Sequence, residues 1–154
     1  IPSKNEVKNI LLWRPSDIAE IEGVTSKGGD WIILIKSATN VLRGDNFVFV
    51  YPELLENKTI VRRGEVLTSE TLDEKNLDFE NINSKVNTLL KKTRDKIKSR
   101  GSIVNEITTK GDFIKKVGDY IKINQNNKYI LEVISLRDSK TAESIIVDLN
   151  ITGL

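Results

Sequence analysis

One stretch constrains this chain more than any other: from Glu65 to Arg100 the charges are segregated along the sequence. Glu65–Glu80 contains six acidic residues and one base, Lys75, whereas Asn81–Arg100 contains seven bases and one acid, Asp95. Acid first and base last is the order that complements a helix dipole. Phe79, Ile82, Val86 and Leu89, followed by Thr93, recur at alternating steps of three and four, the spacing of one helix face. Thr71-Leu72-Asp73-Glu74 has the form of a capping box, and Gly101 is a natural C-terminal stop. The pattern predicts a helix over 71–100, within a segment 68–101.

On both sides the signals change to those of strands. Before the helix, Val7, Ile10 and Leu11 suit a short element. Pro15-Ser16-Asp17 suits a helix start with its stop at Gly23, and Gly28-Gly29-Asp30 suits a turn. Trp31–Ile35 reads as a strand buried on both faces. Arg43–Asn46 reads as a turn, Phe47–Tyr51 as a strand ended by Pro52, and Lys58–Arg63 as an edge strand closed by Gly64. After the helix, Tyr120–Ile123, Lys128–Ile134 and Ser144–Ile151 read as strands. Asn124–Asn127 and Arg137–Lys140 separate them as turns. The predicted fold class is α+β, with antiparallel β units flanking one long amphipathic helix. Its parts are 1–67 (mainly β), 68–101 (helix) and 102–154 (β meander).

Composition then narrows the chemistry. The 154 residues suffice for one ordinary domain, or for a small β unit and a long helix. They include no His, no Cys and no Met. Histidine-based general base catalysis, thiol nucleophiles, disulfides and zinc or haem ligation are thereby excluded. No pair of carboxylates stands in a Gly-rich loop as a glycosidase would need, and no phosphate-cradling Gly-x-x-x-x-Gly-Lys motif occurs. We therefore expect no enzyme, no catalytic residues, no cofactor and no metal. Twenty-four bases against 22 acids leave +2, too small a surplus to define a polyanion partner. No apolar run approaches the ~20 residues of a membrane span, so no span is expected, and the start does not read as a signal peptide. Opening on Ile1 rather than Met suggests a trimmed, processed or excised piece.

Three sets of residues are candidates for binding. Phe79, Ile82, Val86, Leu89 and Thr93 must be covered, either by the chain's own sheet or by copies of the same helix as an oligomer seam. Lys91, Lys92, Arg94 and Lys98 form a basic helix end able to touch phosphates. They lack interleaved aromatics, so a nucleic-acid partner is not favoured. Trp13, Trp31, Tyr51, Tyr120 and Tyr129 can stack on sugars if exposed. Trp31 sits in an apolar run and reads as core, and cross-strand packing in a hairpin is the ordinary explanation for Tyr120 and Tyr129. The candidates kept for a glycan are Trp13, Tyr120 and Tyr129.

Two stretches resemble a known class. Gly64, Val66, Leu67, Thr68 and Leu72-Asp73, followed by Asn76, Phe79 and Asn83, resemble the step from a β unit into the helical shaft of phage tail-fibre and baseplate proteins. Gly118-Asp119-Tyr120-Ile121 with Asn127–Leu131 resembles the opening of jelly-roll modules in phage adhesins and carbohydrate-binding domains. The resemblance implies a virion structural or attachment component. Its partners would be copies of itself, three being the favoured number, other virion proteins and a surface glycan. The alternatives are a small nucleic-acid-associated protein and a cellular α+β interaction domain, cytoplasmic rather than virion-borne.

Overall fold

The structure, a computed structural model, describes residues 10–42, 46–73, 75, 77–124 and 126–154. The fold is α+β, and the chain divides into two compact units, residues 1–57 and 58–154. The boundary falls ten residues before the expected one at 67, and the expected helical segment does not stand apart as a unit.

In the first unit, β1 (Ile10–Leu12), α1 (Pro15–Thr25), β2 (Trp31–Ser37) and β3 (Phe47–Glu56) follow in order. The sheet order is β1-β3-β2, with β1 parallel and β2 antiparallel to β3. Helix α1 starts at Pro15 as expected and runs past Gly23 to Thr25. Asp17 accepts from the Arg14 backbone and from its guanidinium at 2.8 Å, closing the first turn. Strand β2 is not buried on both faces: Ile33 and Ile35 are exposed. Pro52 does not end β3. It lies opposite Ile35, between backbone bonds formed at Asn57–Asp30 and Ala38–Phe49. Counting alternately from either bond makes it a non-hydrogen-bonded position. Its nitrogen points away from β2, where a missing N–H costs no ladder bond. Val7 and the turn at 43–45 lie outside the described residues.

The second unit contains β4 (Thr59–Val61), β5 (Val66–Asp73), α2 (Phe79–Ser99), β6 (Ile107–Thr109), α3 (Phe113–Ile123), β7 (Lys128–Ser135), β8 (Ser139–Lys140) and β9 (Ile145–Gly153). A four-stranded sheet runs β5-β7-β9-β6, antiparallel except for the β6–β9 pair, and β4 pairs with β8. Alternation along β7 sends Tyr129, Leu131 and Val133 to one face, where register aligns them with Leu72 on one side and Leu149 on the other. Helix α2 lies against β5, and α3 against α2 and β9.

Helix α2 begins eight residues later than expected. Thr71, Leu72 and Asp73 are the last residues of β5, so the expected capping box is not formed. Pairing with β7 wins over the local helix signal because it places Leu72 in the core, fully buried. The cap is instead Asp78, which accepts from the Asn81 backbone at 2.9 Å. Gly101, at φ 97°, stops the helix as expected. The expected meander after it is interrupted: Tyr120–Ile123 is the last turn of α3, not a strand. Asp112 caps that helix by accepting from the Ile114 and Lys115 backbones, and Phe113 and Val117 are buried.

Candidate functional site

Four of the five expected seam residues are already covered. Ile82, Val86, Leu89 and Thr93 are buried in the second unit's own core, with Ile97 continuing the stripe. The polar member is accommodated: the Thr93 hydroxyl lies 2.8 Å from the Leu89 carbonyl and 2.6 Å from the Thr68 hydroxyl. The helix docks on its own sheet, and this core accounts for the burial of all four without a partner copy. Phe79 is the exception, opening the helix with 70% of its surface exposed.

Phe79 stands at the edge of a groove of about 420 Å³ between the start of α2 and the outer side of α3. Leu77, Ile82, Ile114 and Ile121 give it apolar walls, and Gly118 leaves a gap in the middle of α3. A Cβ added at Gly118 would meet no neighbouring element within 4 Å. Along one flank run Asp112, Lys115, Asp119 and Lys122, alternating in sign. Asp119 and Lys122 form an exposed ion pair at 3.9 Å. Lys116 points elsewhere and pairs with Asp148 at 2.8 Å.

The basic helix end is partly used up by the sheet. Lys92, one of the expected phosphate contacts, pairs with Glu70, which Lys85 approaches at 3.4 Å from the preceding turns. Lys96 donates to the Leu67 carbonyl, and Arg100 reaches both Glu65 and the Ile60 carbonyl. Lys91, Arg94 and Lys98 remain exposed on one side of the helix, beside Asp95. Such a stripe offers few phosphate contacts.

These pairs have a pH consequence. The Lys92 ammonium, with Lys85 behind it, holds the Glu70 carboxyl below its usual 4.5, and the Arg100 guanidinium does the same for Glu65. A carboxyl depressed on folding adds stability above its unfolded value, and that share is lost as pH falls through the folded value. Stability should therefore hold at neutral pH and fall below about pH 4.5. Glu70→Gln should cost about 1 kcal/mol at pH 7 and almost nothing in strong acid, compared by urea unfolding at both pH values.

The aromatic candidates separate. Tyr129 is 1% exposed and unavailable to a sugar, because it projects inward from central strand β7. Its hydroxyl donates to the Asn124 carbonyl at 2.6 Å and accepts from the Asn126 backbone at 3.0 Å, and its ring meets Tyr120 edge to face. The contact is between a strand and a helix, not across a hairpin. Trp13 and Tyr120 are half-buried. Besides Phe79, the aromatics on display are Phe47 and Phe49, edge to face at 5.7 Å, with Tyr51 on the same side of β3. Tyr51 is among the aromatics the sequence offers for stacking, and strand alternation in Phe47–Tyr51 puts the two phenylalanines on its face.

Among the described residues, no group of three or more acidic side chains is arranged to hold a metal ion, and no helix is long and apolar enough to cross a membrane. No protein-family model matches the chain, and neither the curated proteins nor the solved structures contain a match to it.

Proposed function

We propose that this chain is a non-enzymatic assembly module of a virion structural or attachment protein, working by protein–protein contact through the groove beside Phe79. The observation that supports this reading is Phe79 itself. A large aromatic side chain stands 70% exposed in the lining of an apolar groove. An exposed aromatic beside a concave apolar surface is the composition of an interaction hot spot. The virion setting comes from the resemblance of Gly64–Asn83 to tail-fibre and baseplate proteins. In this chain those residues run through a strand before reaching the helix. With the buried stripe of α2 docked on its own sheet, association falls to the groove at the start of that helix.

The test is a photo-reactive residue placed at position 79. In purified particles it should cross-link to a structural protein, either this chain or a neighbour. Absence of the chain from particles, or adducts only with non-structural proteins, would remove the reading.

A further inference from the structure

The geometry points to a second copy of this chain as the occupant of the groove, with the α3 helices of the two copies packed antiparallel across a twofold axis near Gly118. This rests on the reading of the groove as an assembly surface and names its partner. The argument is the order of charge. Asp112, Lys115, Asp119 and Lys122 read minus, plus, minus, plus along α3, and plus, minus, plus, minus when the helix is reversed. A twofold axis perpendicular to two antiparallel helices keeps this flank facing its own copy. It sets Asp112 opposite Lys122 and Lys115 opposite Asp119, each pair occurring twice. A parallel pairing would set like against like throughout.

The apolar side of the groove obeys the same symmetry. Ile114 and Ile121 lie almost equally far on either side of the centre of that charge pattern, so each meets the other in the partner copy. Gly118 lies one residue from that centre, where two helices must approach most closely, and it presents no side chain there. A helix of 11 residues is about 16 Å long, so the contact belongs at the small, transient end of specific interfaces. Exposed pairs are screened by salt, so association should weaken as ionic strength rises.

The experiment uses the full chain and sedimentation equilibrium at low salt. The native chain should dimerise at high micromolar concentration. Lys115→Glu with Lys122→Glu makes the stripe wholly acidic, and Asp119→Lys makes it mainly basic. Each alone should dissociate about tenfold more readily, and an equimolar mixture of the two should recover a dimer containing one of each. Gly118→Leu, at a position where an added Cβ is unobstructed in the monomer, should keep native helix content and abolish the dimer. Circular dichroism on every variant separates loss of contact from loss of fold. A native chain that stays monomeric, variants that dimerise as well as the native chain, or a mixture that fails to recover would each overturn the proposal. If the chain is monomeric while position 79 still cross-links to another virion protein, self-pairing fails and the assembly reading stands.

Discussion

Leu89→Asp should unfold residues 58–154 and should not release a folded monomer from an oligomer. Leu89 is 0% exposed, on the buried face of α2 that packs over the sheet. Truncation to alanine there would cost about 2–5 kcal/mol, through lost burial and the cavity left behind. An aspartate adds an unpaired charge in an apolar site, a penalty of several kcal/mol more unless the site opens to water. Together these consume most or all of the 5–15 kcal/mol that holds a typical domain. Phe79→Asp is the control, because a mostly exposed side chain should change stability by only about 0.5 kcal/mol. Far-ultraviolet circular dichroism and urea unfolding measure both. A soluble Leu89→Asp chain with native helix content would return α2 to the role of an intermolecular seam.

The outcome for this helix shows what the sequence can and cannot reveal. Its buried face was legible, because Ile82, Val86 and Leu89 repeat with helical period whatever covers them. What covers them was not legible: a seam and a docked helix bury the same stripe. Its start was misread because Thr71–Glu74 satisfies a local capping pattern, while the competing signal, pairing of Leu72 with Tyr129, spans 57 residues of sequence. The error at Tyr120–Ile123 has another cause. Four residues of alternation fit a strand and also fit the end of a helix whose period is visible only from Phe113 and Val117. With those residues read as a strand, Asp112, Lys115, Asp119 and Lys122 did not share a face. The groove's charged flank was therefore hidden although each of its residues was in plain view. Asp112, an N-cap residue ahead of an apolar period of four, was the signal that could have exposed it.

Residues 58–154, expressed alone, should fold, whereas residues 1–57 alone should not form a stable structure. Every residue of the continuous apolar core, from Ile60 to Leu149, belongs to the second unit. So do both strands of each of its sheet pairs. The chain is tied down separately on the two sides of the cut. The Asn57 backbone N–H donates to the Asp30 carbonyl at 2.7 Å, and the Lys58 carbonyl accepts from the Thr141 backbone at 3.0 Å. Cutting between them leaves each bond within its own piece. The first unit lacks a comparable core: among its described residues, Val48 and Val50 are the buried apolar side chains, and Asp17 is the buried polar one. A chain of this length buries only about 60% of its unfolded surface even when well packed, which leaves little margin against chain entropy. The 58–154 fragment should therefore unfold in one cooperative transition with near-native helix content, and the 1–57 fragment should show none. A 58–154 fragment that is molten would mean that its core depends on the residues removed. A cooperative 1–57 fragment would mean that Val48, Val50 and the Arg14–Asp17 pair suffice to hold three strands and a helix together.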